Sequence, residues 1–294
     1  MIYTVTCNPA IDHIVSLPTF AAGGLNRAAT ETFSFGGKGV NVSRVLKECG
    51  VPSVALGFVG GFTGETLEKG VKANAITTDF IHVAGETRVN TKIAAGGEET
   101  ELNGVGATVS EADFAKLICK VKALDGEDVL VLSGSLAPGM NAESYARLAA
   151  AKNGGRVVVD ASEAALKAAL STKPWLIKPN EAELRELCGE GDVQTLAEKA
   201  QALGAQNVLC SCGAAGALLL TERGEVIECE APHGTVKSTV GAGDALLAGF
   251  LAALENGKSP AEALTYGVAA GSATAFSAGL AKKEELDAVL AAMK

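Results

Sequence analysis

The segment Ser238–Gly249, S-T-V-G-A-G-D-A-L-L-A-G, places three small residues, Gly241, Ala242 and Gly243, where an apolar run with helical spacing, Ala245–Leu254, begins. The first N–H groups of a helix have no partner within it and sit at the positive end of its dipole, so a glycine-flanked helix start can hold a phosphate. Asp244 follows immediately, and a carboxylate there would compete with a phosphate for those N–H groups. Two tasks could explain it: a base that takes the proton from a nucleophile attacking the phosphate, or a helix cap in a tight glycine turn. A second segment, Gly36-Gly37-Lys38-Gly39-Val40-Asn41, again sets bare backbone before a helical run, with one lysine inside it. The G-x-x-x-x-G-K-[ST] spacing is absent, and neither Gly39 nor Val40 after Lys38 presents a hydroxyl to magnesium, which rejects a Walker ATP site. Lys38 can still reach a phosphate or hydroxyl of a ligand, and Asn41 can donate and accept hydrogen bonds from the first helical turn.

Helix starts of this kind need strands to deliver them. Short aliphatic runs at Ile2–Thr6, Val54–Val59, Val129–Leu132, Val157–Val159, Leu176–Ile177 and Val208–Cys210 alternate with helical patterns at Asn41–Glu48, Glu111–Leu124, Ala142–Ala151, Glu181–Leu187 and Thr195–Leu203. The alternation indicates an α/β fold, a central, mostly parallel sheet flanked by helices. The C-terminal third reads as mostly helical, with Ala261–Phe276 and Lys283–Met293 rich in alanine and leucine. Two stretches, about 12–35 and 87–103, break the pattern with polar/apolar alternation, glycine pairs and no helical period, as hairpin strands do. The expectation is one domain over residues 1–294 carrying a small β-sheet lid over the strand ends, where open α/β sheets bind ligands. A plain surface hairpin is the alternative.

A chain of 294 residues, 48% of them hydrophobic, can bury a large core. The net charge of −9 argues against a nucleic-acid or anionic-membrane partner, since both require a basic footprint. Seven scattered cysteines without C-x-x-C spacing read as reduced core residues, including Cys210 and Cys212 beside Ser211. His13, His82 and His233 lie too far apart for a metal-binding helix motif, and so few histidines make a histidine-based triad a poor fit. The chain begins directly with a strand-like run, without the pattern of a secretion signal, and contains no apolar run of bilayer length; the expected location is the cytoplasm.

Taken together the motifs resemble those of the PfkB (ribokinase-like) carbohydrate kinases, over essentially the whole chain and in the phosphosugar kinase branch. G-G-K-G-V-N-V-S is the N-terminal signature and S-T-V-G-A-G-D-A-L-L-A-G the C-terminal one. T-C-N-P-A-I-D near the start, T-R-V-N-T-K-I at Thr87–Ile93, S-G-S-L-A-P-G at Ser133–Gly139 and K-P-N-E-A-E at Lys178–Glu183 are similar to that branch. The resemblance implies a ribokinase-like sheet with a β lid and a phosphotransferase with an alcohol group as acceptor. ATP and Mg2+ would serve a ketohexose monophosphate, with fructose 1-phosphate converted to fructose 1,6-bisphosphate as the first choice. Fructose 6-phosphate and tagatose 6-phosphate are alternatives, and a non-catalytic sugar-phosphate sensor is the alternative of another class.

The resemblance also assigns residues. Asp244 matches the catalytic base and the N–H groups of Gly241, Ala242 and Gly243 the anion hole. Asp12 matches an acceptor for sugar hydroxyls; Arg27, Lys38 and Arg88 match the holders of the sugar's phosphate, joined by the Ser135 hydroxyl. Gly36, Gly37 and Asn41 belong to the same substrate side. Asn180 and Glu183 fit an N-x-x-E motif that positions magnesium and the ATP phosphates through water, for which a capping box is the competing explanation. Ser211, Gly213 and Gly216, with Gly243, match the ATP-binding loop, and Ser272–Gly279 the neighbourhood of the adenine. Homodimerisation through the lid is the partner that the resemblance suggests.

Overall fold

A computed structural model describes residues 1–161 and 163–293. The aliphatic runs form a ten-stranded sheet. From one edge its order is Val226–Cys229, Ala217–Leu220, Asn207–Ser211, Leu176–Ile177, Arg156–Asp160, Val129–Ser133, Ile2–Thr6, Ser53–Gly60 and Thr77–Thr78, with Ile81–Val83 also paired to Ser53–Gly60. Every pairing from Asn207–Ser211 onward is parallel, and the Ala217–Leu220 and Val226–Cys229 strands add an antiparallel edge.

Helices cover both faces, and the strands show why they are aliphatic throughout. Leu130 and Leu132 point into a core with Phe114, Leu117, Leu148 and Leu196, whereas Val129 and Val131 point into the opposite core with Leu46, Leu247, Phe250 and Leu264. A strand buried on both faces has no polar side to alternate with. The Ala242–Glu255 helix is buried at every position from Asp244 to Ala253, which explains its Ala/Leu composition and lack of a polar stripe. It starts three residues before the apolar run that betrays it in the sequence, so Asp244 lies in its first turn.

Ile2–Thr6 lies between Ser53–Gly60 on one side and Val129–Ser133 on the other, so the chain reverses its direction of travel across the sheet there. Ligands of such sheets sit outside the carboxyl ends of the strands at the reversal. A separate four-stranded sheet rises from this point, in the order Thr30–Gly36, Ala10–Leu17, Arg88–Ala95, Glu98–Asn103. Its central pair, Ala10–Leu17 with Arg88–Ala95, is parallel, while the outer strands are antiparallel to their neighbours. Asp12 is in register with Ser34 and Asn90, and Ala10 with Gly36 and Arg88, so residues far apart in sequence share one face.

The Gly61–Ala73 helix carries no sequence signal because glycine occupies positions 61, 64 and 70, each a poor helix former. Gly70 has a packing reason: the Phe35 ring of the small sheet occupies the space a Cβ would need. Phe35 also packs against a small core with Ile11, Val40, Leu67 and Val71, which seats the second sheet on the main domain. Among the described residues no helix is long and apolar enough to cross a membrane.

Candidate active site

The strand ends and the small sheet enclose a cleft of about 880 Å³. Three neighbouring parallel strands end in or run into polar groups, of which Lys178 and Ser211 line the cleft and Asp160 lies buried behind it. Arg156–Asp160 ends in Asp160, Leu176–Ile177 runs into Lys178, and Asn207–Ser211 ends in Ser211. The Lys38–Glu48 helix enters with Lys38 and Asn41 in its first turn, and the Ala242–Glu255 helix with Ala242, Gly243 and Asp244.

The Ala242–Glu255 helix has Gly241 as its N-cap, in the left-handed region at φ 80°. That conformation favours glycine, and a Cβ there would also press on the tip of the Leu280 side chain, 2.6 Å from Cδ2. No side chain caps this helix, which leaves its first N–H groups facing the cleft. The Asp244 carboxylate is 6% exposed and takes its hydrogen bond from Asn41 Nδ2, 2.8 Å from Oδ2, rather than from its own helix. The capping alternative for Asp244 is therefore not what its side chain does. Burial, followed by the charge of Asp160, pushes its pKa up to about 7, against the pull of Asn41, Lys38 and Lys178.

On the facing wall, Asp12 Oδ1 accepts from Asn90 Nδ2 at 3.1 Å, and Asn90 Oδ1 accepts from Gly104 N–H at 3.2 Å. Gly36 lies between two of the polar groups: a Cβ there would be 3.1 Å from Asp12 Oδ2 and 3.5 Å from Asn41 Oδ1. Arg88 donates from Nε to the Asn8 carbonyl at 3.1 Å and from Nη2 to Ser135 Oγ at 3.4 Å. Among the described residues it forms no ion pair, and burial lowers its pKa against the influence of Asp12. Lys38 Nζ donates to Asp160 Oδ1 at 3.1 Å; burial pulls its pKa down, but Asp160 and Asp244 raise it on balance, so it is a firm cation.

At the far end, Asn180 and Glu183 form a reciprocal capping box on the Glu181–Cys188 helix, with N–H to side-chain distances of 2.8 and 2.9 Å. The box forms as the competing explanation required, and both residues still line the cleft. Ser211, Gly213 and Gly216 line it beside them. Of Ser272–Gly279, Ser272, Ala275 and Phe276 line an apolar end together with Leu246, Val268 and Val236.

The structure thus gathers Asp12, Gly37, Lys38, Asn41, Arg88, Asn180, Glu183, Ser211, Gly213, Gly216 and Gly241 to Asp244 around one space. Ser135 is exposed in the turn after Val129–Ser133 and is joined to the site through Arg88. Arg27 is exposed in the loop between Leu17 and Thr30 and is not part of the cleft wall. Sequence reasoning missed Asp160, Lys178, Asn90, Lys92 and Glu101. Asn90 and Lys178 stand inside motifs already singled out, and their neighbours drew the attention; Asp160 closes V-V-V-D and has no flanking signal.

A helix-start anion site with a buried carboxylate, faced by a polar second sheet on a ribokinase-like fold, is the arrangement of a carbohydrate phosphotransferase. The chain belongs to the pfkB family of carbohydrate kinases: the "pfkB family carbohydrate kinase" model matches residues 6–286. A 1-phosphofructokinase of Bacillus subtilis (strain 168) is 42% identical, with 100% of this chain and 99% of that protein covered. A D-tagatose-1-phosphate kinase of Bacillus licheniformis is 39% identical over 98% of this chain and 96% of its own. Among solved structures, phosphofructokinase-2 from Escherichia coli in complex with substrates and products superposes with a TM-score of 0.92 at 32% identity, covering 99% of both chains. Membership of a kinase family makes ATP the phosphoryl donor.

Proposed function

We propose that the chain transfers the γ-phosphoryl group of ATP to the 6-hydroxyl of fructose 1-phosphate, giving fructose 1,6-bisphosphate and ADP. The observation that carries a phosphorylated acceptor is Arg88: half-buried on the cleft wall, held in place by the neutral Asn8 carbonyl and Ser135 hydroxyl, it keeps its charge for a ligand. A guanidinium so placed suits a phosphate dianion, and an unphosphorylated sugar would leave it unpaired. The relatives named 1-phosphofructokinase, matched along nearly their whole length, support fructose 1-phosphate over its isomers. The tagatose kinase relative supports the second reading, a tagatose phosphate as acceptor.

In this reading Asp12 and Asn41 orient the sugar hydroxyls, and Arg88, Lys38 and Ser135 hold the phosphate it already carries. Asp244 takes the proton of the attacking hydroxyl as its oxygen bonds to the γ-phosphorus and the bridging β–γ bond breaks towards ADP. The N–H groups of Gly241 to Asp244 receive the charge of the transferring group. Asn180, Glu183, Ser211, Gly213 and Gly216 bind the nucleotide, whose base lies at the apolar end by Phe276. Arg27, exposed in its loop, has no assigned contact here.

Among the described residues no group of three or more His, Cys, Asp or Glu side chains could hold a metal by itself. Glu183 spends one carboxylate oxygen on the Asn180 N–H, so the donor set suits a hydrated Mg2+ brought by ATP and reached through water rather than a protein cage. When bound, Mg2+ neutralises charge on the phosphate oxygens. The cytoplasm is the proposed location, in keeping with seven free cysteines.

Coupled-assay rates with fructose 1-phosphate, fructose 6-phosphate and tagatose phosphates are expected to rank fructose 1-phosphate highest in kcat/KM. A higher value for either isomer replaces the substrate named here, and absence of turnover with all of them overturns the kinase reading.

A homodimer through the small sheet is the proposed assembly. Phe33, His13, Thr91 and Leu102 form one row across its four strands, and Phe33 and Leu102 are 58% and 60% exposed. Such a row on the sheet face away from Asp12 suits a second copy of the same sheet. Phe33→Glu is expected to turn a dimer into a monomer in sedimentation; an unchanged mass, or a monomeric parent, removes this interface.

A further inference from the structure

The Asp160 carboxylate has no place in the transfer just described, yet it lies at the centre of the site's charges. It ends the Arg156–Asp160 strand and is 1% exposed. Its Oδ1 accepts from Lys38 Nζ at 3.1 Å and lies 3.5 Å from Lys178 Nζ. These two lysines come from different elements of the main domain. Lys38 opens the helix that follows the small sheet, on the sugar side, whereas Lys178 precedes the Glu181–Cys188 helix, on the nucleotide side. The Lys178 amine also abuts the anion turn, 3.3 Å from where a Cβ on Gly243 would stand. Asp160 Oδ2 has no hydrogen-bond partner, and neither has the buried hydroxyl of Ser133, its register mate on the adjacent strand.

We propose that Asp160 is a positioning residue: it ties Lys38 and Lys178 to one oxygen and so fixes the sugar-side and nucleotide-side cations relative to the transferring phosphoryl group and Asp244. A buried carboxylate left bare on one oxygen is tolerable only with cations held close on the other, so the same charge that needs the lysines immobilises them. Two flexible side chains thereby lose their freedom before substrate arrives, and alignment is what phosphoryl transfer chiefly demands. The charge has a second effect, since it disfavours the ionised form of Asp244 while Lys38 and Lys178 favour it. The groups facing Asp244 are Asn41 and Lys38 from one helix, Asp160 from the strand end and Lys178 from the segment after the next strand. The packed Pro260–Phe276 helix carries one charged residue, Glu262, spent on its own cap.

This inference rests on the kinase reading, and kcat against pH for the full chain tests it. In Asp160→Asn, kcat is expected to fall about 10- to 100-fold, with the acid limb displaced downward by about one pH unit as a like charge leaves Asp244. In Lys178→Met the limb is expected to move the other way, upward. Asp160→Glu, which keeps the charge and shifts the oxygens, should lose kcat with the limb in place. Limbs that stay put in both charge-changing variants, or move in the same direction, overturn the proposal while the parent still turns over. A parent without turnover sinks the kinase reading instead. Should Asp160→Asn not fold, Lys178→Met and Asp160→Glu decide: an unmoved limb in the first or full kcat in the second overturns it.

Discussion

Replacing Asp244 by asparagine lowers turnover by about two to four orders of magnitude, the usual worth of a general base, while ATP affinity stays close to that of the parent. The amide matches the carboxylate in shape and can still accept from Asn41, so the variant removes a proton acceptor and little else. Steady-state kinetics beside a direct ATP titration checks both halves, and a variant with near-normal turnover would take the base role away from Asp244. The parent's pH profile carries the same residue. A base must be ionised to act, and burial holds this pKa at about 7, so kcat falls as pH drops through neutrality. In the asparagine variant that limb is absent. Stability follows with the opposite sense. The folded pKa is raised above an unfolded value of about 3.9, so the folded chain holds the proton more tightly. Stability is therefore greatest at low pH on this account and is lost as pH rises from that value through about 7. Asp244→Asn should accordingly gain in melting temperature over the parent at pH 8 and not at pH 4.

Arg88→Ala should raise KM for the sugar phosphate about 10- to 100-fold, the loss expected for hydrogen bonds to a charged group. KM for ATP should hardly move, because Arg88 stands on the small sheet and its partners are Asn8 and Ser135. Arg88→Lys should recover part of the affinity, since it restores charge without the fork that reaches two acceptors at once. An unchanged KM in the alanine variant would mean that the phosphate lies elsewhere in the cleft. A rise in both KM values would mean that Arg88 supports the cleft as a whole.

The main sheet was legible because its strands are aliphatic on both faces: Ile2–Thr6 and Leu176–Ile177 coincide with their sequence runs. The Gly61–Ala73 helix was not, because Gly70 answers to Phe35 across a contact between sheet and helix that no local pattern encodes. The antiparallel edge, Ala217–Leu220 and Val226–Cys229, was likewise silent in the sequence reading. At the site, Asp244 and Lys38 announced themselves through the glycines that bare the backbone around them. Asp160 and Asn90 did not, because their importance lies in partners set by register and by the strand-end crevice: Asp12 for Asn90, two lysines for Asp160. Arg27, matched by the resemblance, stands in an exposed loop outside the cleft wall, a placement that the sequence around it does not encode.

The cleft draws its two walls from different sheets. Asp12, Arg88 and Asn90 are carried by the strands Ala10–Leu17 and Arg88–Ala95, whereas Asp244 and its glycine turn belong to a helix buried against the main sheet. Mutation can therefore act on them at separate rates. The small sheet has few layers packed on it, whereas the Ala242–Glu255 helix is buried from Asp244 to Ala253, so a lineage built on this chain can vary the acceptor contacts made by Asp12, Arg88 and Asn90 while inheriting its transfer chemistry intact.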